Sequence, residues 1–144
     1  MDIKKITDQY FVAPQICVED MTAIVDAGFK TVICNRPDAE VPPSHQAETI
    51  QTAAKAAGLD FHILPLTHQT MTPDIVGQQM KLSRLEGPVL AYCATGTRCT
   101  VAWAIGCTSE GHDIDQVLSA AEEGGYQLSG LRPTLEEIAR NGQT

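Results

Sequence analysis

Short apolar runs alternate with amphipathic stretches along this chain, and glycine or proline punctuates most of the switches between them. Tyr10-Phe11-Val12-Ala13 reads as a first strand and Thr31-Val32-Ile33-Cys34 as a second, apolar on both faces. Phe61-His62-Ile63-Leu64 makes a third, and Pro88-Val89-Leu90-Ala91-Tyr92 a fourth. A helical stretch from about Val18 to Ala27 is stopped by Gly28; another opens at Pro43, carries Ser44, Ala47, Ile50, Ala54 and Ala57, and ends at Gly58. Thr72 as N-cap, Pro73 at the first helical position and Asp74 in the first turn start a third helix, running to about Leu85. After the fourth strand, Cys99, Ala102, Trp103 and Cys107 fall on one helical face, and two shorter helices begin near Asp113 and Pro133. Strands separated by helices predict one α/β domain over residues 1–144, a central, mostly parallel sheet flanked by helices. In such a sheet right-handed crossovers place ligand sites at the strands' carboxyl ends.

Two of those ends carry chemistry. Cys93-Ala94-Thr95-Gly96-Thr97-Arg98 follows the fourth strand and leads into a helix. Successive backbone N–H groups of such a loop, with the helix dipole behind them, form an anion cradle. A thiol at its mouth ionises well below its free value, in the range of about 3.5 to 7.5, and is then a nucleophile at neutral pH. Gly96 supplies tight backbone geometry, and Arg98 a guanidinium able to grip an oxyanion bidentately. Cys93 and Arg98 are therefore the candidate catalytic pair, with Ala94 to Cys99 as the anion-binding loop. Asn35 and Arg36 follow the second strand and are candidates for lining the same crevice, an ordinary turn being the competing explanation.

Composition narrows the field. A net charge of −8 over 144 residues works against nucleic-acid or anionic-membrane partners, so anion binding is expected to be local. No apolar run reaches the length of a membrane span, and the start Met1-Asp2-Ile3-Lys4-Lys5 lacks a signal peptide's apolar segment. The cysteines at 17, 34, 93, 99 and 107 form no CxxC pair and predict reduced thiols in a cytoplasmic protein. Cys17 and Cys107 read as small buried hydrophobes. Cys34 and Cys99 are candidates to resolve a persulfide or a protective disulfide, burial being the plainer explanation. The histidines at 45, 62, 68 and 112 show no HxH or HxxxH spacing, so no metal site and no cofactor are predicted. Gly124, Gly125 and Gly130 read as caps and turns.

The segments Ala13-Pro14-Gln15, Gly28 to Asp38, Ile63-Leu64-Pro65-Leu66 and Ala91 to Arg98 resemble the dual-specificity-phosphatase-like superfamily. Within it, they are similar to the phosphatase-like domains of beta-lactamase hydrolase-like proteins. The resemblance implies a cysteine-phosphatase fold and a Cys93 nucleophile, and the family is described both as phosphatase-like and as sulfur transferase. Phosphatases of this type place five residues between nucleophile and arginine, whereas Cys93 and Arg98 have four between them, the loop length of rhodaneses. Where the phosphatases carry an aspartate acid, after an apolar-Pro-apolar pattern, this chain has His68 following Pro65-Leu66-Thr67. Where they have serine or threonine after the arginine, it has Cys99, with the Thr100 hydroxyl next along.

These departures make sulfur transfer through a Cys93 persulfide the leading expectation, because a thiolate attacking sulfur expels sulfite or a thiolate that needs no proton. The alternatives are phosphate-ester hydrolysis through phosphocysteine, with His68 as candidate acid, and a non-catalytic anion- or persulfide-binding module. The expected substrate is a small anion, namely thiosulfate, a persulfide or a phosphate ester. The expected partner is a metallo-β-lactamase-like persulfide dioxygenase.

Overall fold

A computed structural model describes residues 2–141. Five strands form one sheet: β1 (Lys4–Lys5), β2 (Tyr10–Ala13), β3 (Thr31–Cys34), β4 (Asp60–Ile63) and β5 (Val89–Tyr92). Their order is β1-β2-β5-β3-β4; β1 pairs antiparallel with β2 and every other pair is parallel. The four parallel strands lie within a residue or two of the apolar runs that predict them. β1 has no such signal, since two lysines at a sheet edge are polar and too few to show a period.

The helices are α1 (Met21–Asp26), α2 (Ala47–Ala56), α3 (Pro73–Leu82), α4 (Thr97–Ser109), α5 (Ile114–Glu123) and α6 (Arg132–Asn141). Two predicted starts shift. Val18–Asp20 and Pro43–His45 are short 3-10 turns, and the α-helical ladder begins only at Met21 and Ala47. α4 opens two residues earlier than its apolar face suggests, because Gly96 at φ 90° turns the chain directly into Thr97. Thr72 does cap α3, its hydroxyl accepting from Ile75 N–H at 3.3 Å, and Asp113 caps α5 in the same way through Gln116 N–H.

Both sheet faces are buried, and β5 shows the period of two that sorts them. Val89, Ala91 and Cys93 belong to a core with Cys99, Trp103 and Ala104 of α4, whereas Leu90 and Tyr92 join Ile24 of α1 and Ile50 of α2. Tyr92 is in register with Ala13 on one side and Cys34 on the other, so three carboxyl ends finish level. Cys93 and Asn35 leave the sheet side by side at this edge. Among the described residues no helix is long and apolar enough to cross a membrane.

Candidate active site

The loop after β5 folds around the Cys93 sulfur. Gly96 N–H donates to Sγ at 3.1 Å, and the amides of Thr95 and Cys99 do so as well. The Cys99 thiol also donates to it, and this is the largest influence holding Cys93 down at about 5, against the opposing effect of burial. Every other thiol moves the other way. Burial raises Cys34, Cys99 and Cys107, the last to about 12, and a hydrogen bond with Glu19 raises Cys17 to about 11.

Two details differ from the sequence expectation. Cys93 is 0 % exposed and forms the floor of the loop, not its mouth, because β5 carries it inward on the α4 side of the sheet. The Thr97 amide donates to Thr95 Oγ1 at 3.3 Å, so the ring of amides is not wholly directed at the sulfur. Ala94 is half-buried, and its carbonyl accepts from the Gln15 amide at 3.4 Å, tying the loop to the end of β2.

Arg98 closes the loop from above. Its Nη1 and Nη2 donate to Glu40 Oε2 and Oε1 at 2.9 and 2.7 Å, and Nη1 also donates to the Leu66 carbonyl at 2.8 Å. The guanidinium also interacts with the Cys93 thiolate, although Glu40 is its main partner. Glu40 receives Arg36 Nε at 3.1 Å too, and the Arg98 hydrogen bond, ahead of Arg36, holds its carboxyl below the usual range. Sequence reasoning missed Glu40. It lies in a 3-10 turn with no periodicity, and its partner Arg98 is 58 residues away.

Tyr126 was missed as well. Its hydroxyl donates to the Thr95 carbonyl at 2.9 Å, and a Cβ on Gly96 would stand 2.1 Å from that oxygen. The glycines at 124 and 125 drew attention to a turn, but the residue that turn delivers is the tyrosine.

The remaining candidates divide by place. His68 is exposed and lines a cleft of about 700 Å³ together with Glu40, Thr67, Thr97 and Arg98. Asn35 is away from the cleft at 0 % exposure: its Nδ2 donates to the Leu64 carbonyl and to Gln79 Oε1, both at 2.8 Å. Gln79 donates back to Asn35 Oδ1 at 2.8 Å and to Tyr10 Oη at 3.0 Å, and Tyr10 donates to the Cys99 carbonyl at 2.7 Å. This buried relay bolts β3, α3, β2 and α4 together beneath the loop. Arg36 bonds Glu40 and Gln15. Thr100 donates its hydroxyl to the Gly96 carbonyl at 2.8 Å, leaving the place beside the thiolate to Cys99. Cys34 packs on the opposite sheet face from Cys93 and donates to the Arg36 carbonyl at 3.5 Å. Cys17 is half-buried, its thiol on Asp20 at 3.3 Å, which corrects its reading as a core residue. Among the described residues no group of three or more His, Cys, Asp or Glu is placed to hold a metal ion.

A mostly parallel sheet whose central strand delivers a thiolate into an amide loop, with an arginine over it, defines the cysteine-phosphatase-like class of α/β proteins. More particularly, the chain belongs to the family described as "Beta-lactamase hydrolase-like protein, phosphatase-like domain", which matches residues 2–110. A Beta-lactamase hydrolase-like protein of Agrobacterium fabrum (strain C58) is 34% identical over 112 residues, 77% of this chain. The chain spans only 26 to 33% of the length of the curated relatives it matches. A crystal structure from Neisseria meningitidis Z2491, its protein described provisionally as a phosphatase, is 34% identical with a TM-score of 0.85, covering 96% of this chain and 99% of that one. PTPMT1, at 17% identity and a TM-score of 0.69 over 99% of each chain, shares the fold. These matches support a phosphatase-like enzyme and fit the phosphatase alternative better than the sulfur transfer that loop length predicts.

Proposed function

We propose that the chain is a thiolate-dependent phosphate-ester hydrolase. The observation that carries this reading is the Cys93 sulfur, held as an anion by loop donors in a chain of the phosphatase-like family. Cys93 Sγ attacks phosphorus, forming the S–P bond as the P–O bond to the leaving group breaks. The departing alkoxide takes a proton, for which His68 is the cleft residue in line, since arginines hold the Glu40 carboxyl ionised. Water then cleaves S–P, releasing inorganic phosphate and returning the thiolate. The loop amides and the Arg98 guanidinium balance the charge on the phosphoryl oxygens. The test is hydrolysis of an aryl phosphate with acid-quench intact mass spectrometry: turnover and a phosphocysteine adduct are expected in the wild type and absent from Cys93→Ser. Hydrolysis that survives Cys93→Ser, or none in the wild type, overturns the reading.

One observation favours a second reading. Four residues separate Cys93 from Arg98, and no carboxylate stands at the His68 position, which suits sulfur transfer. In it Cys93 attacks the sulfane sulfur of thiosulfate; the new S–S bond forms as the bond to sulfite breaks, and no proton is required. The persulfide then passes its sulfur to a thiol or to cyanide. One added sulfur on the wild type, none on Cys93→Ser, and thiocyanate formed from cyanide distinguish this chemistry. A metallo-β-lactamase-like persulfide dioxygenase is the partner proposed for it, and the name of the longer relatives supports such a pairing.

A further inference from the structure

The cleft at Arg98 is polar at one end only, where Arg98, its partner Glu40, Thr67, His68 and Thr97 line it. Past Arg98 and His68 its walls are Met71, Val101, Ile105 and Leu131, apolar and half-buried. Met71 and Ile105 also line a second hollow of about 320 Å³, which continues between α3, α4 and α6 to Val76, Gly77 and Ile138. A small phosphate or thiosulfate has no use for this extension.

Glycines mark its path. A Cβ on Gly106 of α4 would stand 2.3 Å from Met80 Cγ, so close helix packing accounts for that glycine. Gly77 lies in the middle of α3, and nothing stands within 4 Å of where its Cβ would be. Glycine weakens a helix interior. Neither packing nor backbone conformation requires it at 77, an exposed position, and its missing side chain leaves that edge of the hollow open.

We infer that the groove from Arg98 to Gly77 binds the apolar chain of an anionic amphiphile, such as a long-chain alkyl or acyl phosphate, whose head sits at the Cys93–Arg98 loop. The inference rests on the anion chemistry proposed above and names its substrate class. The net charge of −8 repels an anionic bilayer, so the occupant arrives as a dispersed molecule and not from a membrane. Methionines suit the wall, because an unbranched thioether adapts to chains of varied shape.

The test measures binding of inorganic, butyl, octyl and dodecyl phosphate to Cys93→Ser by titration calorimetry, each below its micelle concentration. Affinity is expected to rise with chain length by up to about fourfold per buried methylene. Adding Gly77→Leu, which fills the hollow, is expected to abolish the rise for octyl and dodecyl phosphate and leave inorganic phosphate binding and the melting temperature undiminished. Thr134→Trp, from the opposite wall, is the second blocking variant. A flat chain-length series, a rise that persists in both blocked variants, an equal rise with alkyltrimethylammonium, or one seen only with anionic vesicles overturns the proposal. Binding of none of the phosphates, inorganic phosphate included, sinks the anion-site reading itself, which a flat series does not.

Discussion

Replacing Cys99 by alanine removes the donor that does most to ionise Cys93, and the consequence is calculable. Cys93 stands at about 5 against an ordinary 9.0, with burial working against it. A hydrogen bond to a charged group contributes about 1.5–3 kcal/mol, which at about 1.4 kcal/mol per unit is roughly 1–2 units. Cys99→Ala is therefore expected to move the Cys93 titration up to about 6–7, while Cys99→Ser, whose hydroxyl is the stronger donor, keeps it at about 5 or below. Ultraviolet thiolate absorbance reads this without needing access to the buried sulfur. It reads Cys93 alone at acidic to neutral pH, because every other cysteine is displaced upward. The same shift acts on stability. A thiol lowered in the folded state stabilises fully above its unfolded value of 9.0, loses that contribution as pH falls, and has lost it all below about 5. The wild type is then expected to lose melting temperature from pH 9 to pH 5 more steeply than Cys93→Ser does. A midpoint that stays at about 5 in Cys99→Ala, or one near 9 in the wild type, refutes the argument.

Four further outcomes are expected. Glu40→Ala frees the Nη edge of Arg98 and should cut kcat/KM about 10-fold to 100-fold, the loss of one charge-assisted pair, with little change in thermal melting. Gly96→Ala puts a Cβ at positive φ and 2.1 Å from the Tyr126 hydroxyl; it should lower the melting temperature, and Tyr126→Phe in the same chain should restore part of the loss. Asn35→Leu strands the Gln79 amide and the Leu64 carbonyl and should cost about 2–4 kcal/mol in urea unfolding, with the m-value unchanged. His68→Gln should slow hydrolysis of alkyl phosphates by about 10²-fold or more and spare aryl phosphates with good leaving groups, measured as kcat across a leaving-group series.

The fold was legible wherever the signal was local and apolar. Runs such as Thr31–Cys34 and Val89–Tyr92 are buried on both faces, so hydrophobicity alone marks them. Thr72 and Pro73 announce the start of α3 through chemistry confined to four residues. The Cys93 loop was legible for the same reason: nucleophile, glycine and arginine lie within six consecutive positions. Its supports were not. Glu40, Tyr126 and Gln79 reach the site across 58, 31 and 44 residues to Arg98, Thr95 and Asn35, and polar side chains in turns or on a helix carry no trace of a distant partner. Asn35 was noticed for its place after β3, yet its surroundings are a buried amide pair that only tertiary structure reveals.

That division bears on how the loop works with one residue fewer between its cysteine and arginine. Four residues separate the two, and the Arg98 Nη groups are held by residues from other parts of the chain. Aim is supplied from elsewhere, by Glu40 and the Leu66 carbonyl on the Nη edge. The thiolate is likewise steadied by a thiol, Cys99, while the neighbouring Thr100 hydroxyl is spent on the Gly96 carbonyl. A thiol is a weaker donor than a hydroxyl. The amides of Thr95, Gly96 and Cys99 must then supply the rest of what overcomes burial at Cys93. The site's reactivity therefore lies less in any one donor than in the rigidity of the turn, which Gly96, Tyr126 and the buried Asn35–Gln79–Tyr10 relay hold in place.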